Sequence, residues 1–314
     1  MAMIRRLWIF SVLLGLCMIL QGPVVMAAEL PPANTQGTDR KWLDVPYATE
    51  SASQKLDIYL PKEGKGPFPV ILAIHGGAFY TGDKGNMEVD GQLVGLNHGY
   101  AVVSMNYRLS NEATFPAPVL DAKAAVRFLR AHAAEYQLDG QRIAAWGDSA
   151  GANIAALLGT TAGHPELEDL SQGNAGESSR VVAVVAWFPP VDYLQEDAQF
   201  RARGITPFAW ADKPDSYIAK YMGAPIQAIS GLMRFANPES YIGRDTVPFL
   251  IENGGKDTVV PTEQGRDFAA KLQAVIGADR VTYICLPEAE HRVVHFMGQE
   301  NMEKVFGFLD RYLK

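Results

Sequence analysis

Cysteine is almost missing from this chain: Cys17 and Cys285 are the only two in 314 residues. Cys17 falls in an N-terminal leader, so the mature chain keeps one thiol and closes no internal disulfide. Its stability must come from a buried core. Cys285 lies in an apolar, strand-like run and reads as a small buried hydrophobe. Basic runs are missing as well, and the formal net charge is −7. That balance excludes a nucleic-acid-binding surface. There is no repeat, no low-complexity tract and no H-E-x-x-H, so no metal and no cofactor is expected. What is present is 48% hydrophobic and 20% charged, the composition of a globular protein with a sizeable core.

The first residues read as a targeting signal. Arg5 and Arg6 precede an uncharged, mostly apolar stretch from Leu7 to Leu20. Val25-Met26-Ala27 then places small residues at the −3 and −1 positions of a cleavage site. This predicts a signal peptide over 1–27, a mature domain over 28–314 and a periplasmic or secreted protein. The apolar stretch is shorter than the ~20 residues a membrane span needs, so no stable membrane anchor is expected. Leu16 before Cys17, where a small residue belongs, counts against a lipoprotein signal.

Apolar runs then alternate with amphipathic ones. Residues 28–41 read as a flexible lead-in and Lys55 to Leu60 as an edge strand. Val70 to Ile74, Ala101 to Met105, Arg142 to Trp146, Val181 to Trp187, Val247 to Glu252 and Val281 to Leu286 read as buried strands. A helix is expected from about Met87 to His98. Ala122, Val126, Leu129, Ala133 and Tyr136 share one face of a second. The final helix buries Met302, Val305, Phe306, Leu309 and Leu313. Such alternation predicts an α/β fold with a doubly wound, mostly parallel sheet. Residues 192–246 break the pattern and read as a helical, cap-like insertion over the sheet.

Gly147-Asp148-Ser149-Ala150-Gly151 stands between a strand and a helix, the setting of a nucleophile elbow. A serine hydroxyl needs a base to take its proton and an acid to orient that base. The order Ser…Asp…His points to Ser149, Asp257 and His291, each after a strand. Glu252 and Asp192 are the rivals of Asp257, and His295 is the rival of His291. His75 reads as a loop-positioning residue and Asp148 as a structural hydrogen-bonding group. Candidate walls of a substrate pocket are Phe79, Tyr80, Trp187, Phe208 and Trp210, although the aromatics of the insertion could equally form its own small core.

His75-Gly76-Gly77, Tyr107-Arg108-Leu109, the Ser149 pentapeptide, Asp257-x-x-Val260-Pro261 and a histidine before the last helix occur in this order. Over residues 42–314 the chain resembles carboxylesterases of the α/β-hydrolase fold. It is similar to the BD-FAE-type esterases (feruloyl and acetyl xylan esterase relatives) and to hormone-sensitive-lipase-like esterases. The resemblance implies Ser149 as nucleophile, His291 as base and Asp257 as its orienter. It also implies an oxyanion hole from the backbone N–H groups of Gly76, Gly77 and Ala150. Ala78 stands where many lipase relatives have a third glycine, and the Asp257 segment is nearer the BD-FAE pattern. The expected function is an exported serine hydrolase cleaving short-chain, acetyl or aromatic acyl esters, on a small molecule or a polysaccharide. An amide-cleaving enzyme on the same fold (a peptidase or arylformamidase) is the alternative, and a non-catalytic binding module is the third reading.

Overall fold

The computed structural model describes residues 30–314, and the leader expected at 1–27 lies outside them. The apolar runs form one eight-stranded sheet: β1 (Lys41–Pro46), β2 (Lys55–Tyr59), β3 (Phe68–Ile74), β4 (Ala101–Met105), β5 (Leu138–Asp148), β6 (Ala183–Trp187), β7 (Phe249–Gly254) and β8 (Val281–Leu286). Their order across the sheet is β1-β2-β4-β3-β5-β6-β7-β8. β1 and β2 are antiparallel to their neighbours, and all the other pairs are parallel.

Runs that are apolar at every position suit strands covered on both faces, and β3, β4 and β6 are buried throughout. The alternation of side chains sorts the core into two layers. Ile143 and Ala145 face Val126, Leu129, Ala152 and Phe268, from helices α2 (Ala117–Ala131), α3 (Ala150–Thr160) and α7 (Thr262–Ile276). Ala144 and Trp146 face Val305, Phe306 and Leu309 of α8 (Gln299–Leu313) on the opposite side.

Four expectations are corrected. The helix expected over Met87–His98 is broken into a 3-10 turn, Met87–Val89, a short α1, Asp90–Leu93, and a second 3-10 turn, Val94–His98. Its glycines bring backbone onto neighbouring side chains: a Cβ on Gly91 would lie 2.8 Å from Trp187, and one on Gly95 2.7 Å from Ile71. A straight helix with side chains there would not fit. The polar lead-in ends in a strand, β1, so β2 lies inside the sheet instead of at its edge. Cys285 is exposed, because β8 is itself an edge strand. Trp187 is buried edge-on against Trp146, with ring centroids 4.9 Å apart, and lines no pocket beside Ser149. The stretch over 192–246 carries helices as expected: α4 (Tyr193–Ala202), α5 (Tyr217–Met222) and α6 (Ser230–Ala236). Among the described residues, no helix is long and apolar enough to cross a membrane.

Candidate active site

Ser149 occupies the sharp turn between β5 and α3. Its backbone has φ 51° and ψ −121°, a conformation costly for a residue with a Cβ. The flanking glycines make the turn possible. A Cβ on Gly147 would lie 2.2 Å from the Gly151 carbonyl oxygen, and one on Gly151 would lie 2.0 Å from the Ile74 oxygen. The Ser149 N–H donates to the Trp187 carbonyl at 3.0 Å, tying the elbow to β6.

His291 follows β8 and reaches across to the serine. Its Nε2 lies 2.9 Å from Ser149 Oγ, and its Nδ1 lies 2.8 Å from Asp257 Oδ2. Asp257 is fully buried. Its other oxygen accepts the backbone N–H groups of Val259 (2.7 Å) and Val260 (2.9 Å), a turn closed by the aspartate's own side chain. Because Oδ1 is held by these donors, Oδ2 faces the imidazole. A carboxylate accepts only, so Nδ1 carries the proton and Nε2 is free to accept one from the serine.

The rivals are engaged elsewhere. Asp192 caps α4, accepting the Leu194 N–H at 3.1 Å. Glu252 is buried and accepts from Asn301 Nδ2 at 2.7 Å. His295 Nδ1 accepts the Glu290 N–H at 2.9 Å, which ties down the loop carrying His291.

The glycine loop after β3 is anchored from below. The Tyr107 hydroxyl donates to the carbonyls of His75 (2.9 Å) and Gly76 (3.2 Å), and its ring stacks on His75 with centroids 4.5 Å apart. His75 Nδ1 lies 2.9 Å from the Gly76 oxygen, so Nδ1 is the donor. Burial pushes the His75 pKa down and keeps the ring neutral. Arg108 holds the next segment through Nε and Nη2 on buried Asp121, whose Oδ2 also accepts the Arg108 N–H at 2.9 Å.

Gly77 has φ 97°, and a Cβ there would lie 2.1 Å from the Thr81 oxygen. Gly76 stands against Asp148, with a Cβ position 2.5 Å from Oδ2. Burial first, and the charge of Glu88 second, push the Asp148 carboxyl well up, while the N–H groups of Asp148 and Gly76 pull it down. Asp148 is therefore a buried support for the loop. Ala78, which the sequence marked only as a departure, lies in the cavity wall with Ser149 and Ala150, at φ 54°.

That cavity has a volume of ≈ 120 Å³. Phe79, Phe208 and Trp210 line it, as expected, and Tyr80 does not. Tyr80 packs outside against Tyr217, ring centroids 5.6 Å apart, with Lys220 over its face. Tyr193, Glu196 and Val260 are wall residues that sequence reasoning missed: helix periodicity in the insertion is too weak to orient the first two, and Val260 was read only as part of the Asp257 motif. A larger polar cleft of ≈ 870 Å³, passing Thr38, Lys62, Asn97 and Met297, contains no site residue. The hydrogen-bonded chain, not cavity size, locates the site. Among the described residues, no cluster of His, Cys, Asp and Glu is placed to hold a metal ion.

The arrangement has counterparts in known proteins. The BD-FAE family matches residues 56–272. The esterase LipQ of Mycobacterium tuberculosis is 31% identical over 79% of this chain and 56% of its own length; LipC of the same organism is 29% identical over 77% and 57%. The chain thus spans little more than half the length of these relatives. Among solved structures, a truncated carbohydrate esterase from gut microbiota superposes with a TM-score of 0.78 at 28% identity, covering 90% of this chain and 99% of that one. The bifunctional GH43-CE protein of Bacteroides eggerthii superposes with 0.77 at 32% identity, over 88% of this chain and 38% of that one. Thermogutta terrifontis esterase 2, at 22% identity and a TM-score of 0.68, shares the fold. With an eight-stranded, mostly parallel sheet, an elbow serine and these matches, the chain has the α/β-hydrolase fold and belongs to the BD-FAE family.

Proposed function

We propose that this protein is a serine hydrolase of carboxylic esters, acting through an acyl-enzyme on Ser149. The observation that carries the reading is the unbroken chain Ser149 Oγ–His291–Asp257, at 2.9 and 2.8 Å. His291 takes the serine proton as Oγ attacks the ester carbonyl. The developing oxyanion is met by backbone N–H groups of Ala150, at the start of α3, and of Gly77 and Ala78 in the glycine loop, the Gly76 N–H being directed at Asp148. Losing one such donor typically costs about 3 kcal/mol of transition-state stabilisation. His291 then protonates the leaving alkoxide, and a water activated by the same ring releases the acid.

The leaving oxygen must lie within reach of His291, which does not border the ≈ 120 Å³ cavity. Ser149, Ala78 and Ala150 do border it, so the acyl group occupies it. About 150 Å³ encloses a benzene ring, so the cavity suits a short acyl chain better than a substituted aromatic one. The alcohol then lies outside the cavity, beside the partly exposed His291 ring, a placement that fits esters on small molecules or on carbohydrate. The similarity to a carbohydrate esterase supports the latter. Arg5, Arg6, the apolar stretch and the Val25-Met26-Ala27 site support export to the periplasm or beyond, tested by the N-terminal sequence of the protein recovered outside the cytoplasm.

The decisive experiment is Ser149→Ala with a panel of p-nitrophenyl esters from acetate to octanoate, plus acetylated xylan and methyl ferulate. Turnover falls by about a millionfold in the variant, and the wild type prefers short acyl chains. Near-wild-type hydrolysis by Ser149→Ala, or failure of a fluorophosphonate to label Ser149, would sink the reading.

A further inference from the structure

Glu196 takes no part in the acyl transfer, yet it borders the same cavity as Ser149. It lies on α4, three residues after Tyr193, with 6% of its surface accessible. Among the described residues, nothing hydrogen-bonds its carboxyl or brings a positive charge to it; burial and the charges of Asp197 and Asp257 are what act on it. Neither acid is turned towards it as a partner. Asp197 accepts the N–H groups of Ala211 (2.7 Å) and Asp212 (3.1 Å). Both oxygens of Asp257 are taken by Val259, Val260 and His291. The Tyr193 hydroxyl, in the same wall, is fully buried without a partner.

The rest of the wall is apolar, with Phe79, Trp210, Ile218 and Val260 among its residues. An unpaired polar group inside a protein is costly, and the Tyr193 hydroxyl in this wall is one. Glu196 borders a space that only a ligand or solvent fills. Burial, with the two acids, pushes its pKa up to about 8, so it is a neutral acid at pH 7. A neutral carboxylic acid donates one hydrogen bond and accepts others.

We propose that Glu196 is a specificity-determining residue of the acyl pocket: its carboxyl hydrogen-bonds a hydroxyl on the acyl chain, so hydroxyacyl esters are preferred to plain alkanoyl esters of equal length. The inference rests on the acyl-pocket reading above. The small cavity keeps the hydroxyl within about four carbons of the reacting carbonyl. A pocket built to hydrogen-bond a substrate hydroxyl discriminates strongly against the analogue lacking it, because its own polar group is then left unpaired.

The test compares kcat/KM of the full chain on p-nitrophenyl butyrate and p-nitrophenyl 3-hydroxybutyrate, in wild type, Glu196→Gln and Glu196→Leu. Wild type favours the hydroxy ester by about tenfold or more. Glu196→Gln, which still donates and accepts, keeps most of that ratio; Glu196→Leu brings it to one or below. The ratio is read within each variant, so a general loss of folded enzyme does not imitate the effect. A wild-type ratio near one, or a ratio unchanged in Glu196→Leu, overturns the proposal while leaving the esterase reading intact. Absence of turnover of both esters by wild type overturns both.

Discussion

The ring of Phe188 lies 4.4 Å from the imidazole of His291, centroid to centroid, tilted by 57°. Phe188 follows β6 at φ 40°, and its N–H is held by the Glu252 carbonyl at 2.6 Å. It is fully buried and also packs on Phe296, in the loop that carries His291. The ring therefore supports the imidazole from the sheet side. Phe188→Ala should lower kcat by about 10- to 100-fold with a smaller change in KM, since a misplaced base costs rate more than binding. The cavity should also cost about 3–5 kcal/mol of stability in chemical denaturation. An unchanged kcat would show that the hydrogen bonds alone hold His291.

Asp257→Asn keeps the shape of the side chain and changes which atoms can accept. If the amide oxygen stays with the Val259 and Val260 N–H groups, its NH2 faces His291 Nδ1. That favours the wrong tautomer, with the proton on Nε2. Turnover on a short-chain ester should drop by about ten-thousandfold while the circular dichroism spectrum is unchanged.

Tyr107 reaches the glycine loop only through its hydroxyl and its stacked ring. Tyr107→Phe keeps the stack and takes the hydroxyl donor from the His75 carbonyl, while Gly76 keeps His75 Nδ1. Stability should fall by about 1 kcal/mol. A drop in kcat of about tenfold should accompany it if the loop's donors shift from the oxyanion. A loss of stability without a loss of kcat would assign Tyr107 to the fold alone.

Glu252 lies buried beneath the His291 loop, and burial pushes its pKa up to about 8. The folded protein therefore holds this proton at pH values where the unfolded chain has released it. The stabilisation is present in full below the ordinary glutamate range, near pH 4.5, and is lost as pH rises towards 8. Comparing denaturation at pH 5 and pH 8, Glu252→Gln should lessen the wild-type fall in stability by roughly 3 kcal/mol. An identical fall in the two proteins would rule out Glu252 as the titrating group.

Much of this was legible in the sequence for physical reasons. A strand buried on both faces must be apolar throughout, so β3, β4 and β6 announced themselves. The elbow needs glycines on both sides of its serine, and the closest approach distances at Gly147 and Gly151 show why. Asp257 and His291 were readable because loops after parallel strands share one sheet edge. Other features had weaker signals. β1 has charged residues on an exposed edge, so its composition matches that of a loop. The segment at 87–98 is shaped by contacts of Gly91 and Gly95 with distant side chains, which local pattern does not encode. Trp187 and Tyr80 are expected as pocket walls, but strand alternation turns one into the core and loop geometry turns the other outside. Glu196 drew no reading from the sequence, because only the tertiary structure makes it a buried acid.

The wall of the cavity is drawn from two sources. Ser149, Ala150, Ala78 and Val260 come from loops at the sheet edge, whereas Tyr193, Glu196, Phe208, Trp210 and Ile218 come from the segment laid over it. On the proposed function, reaction and recognition are written in separate stretches of chain. Exchanging residues 193–218 for those of a relative should transplant taste without transplanting reactivity, and the hydrolytic core would serve as a chassis for new acyl preferences.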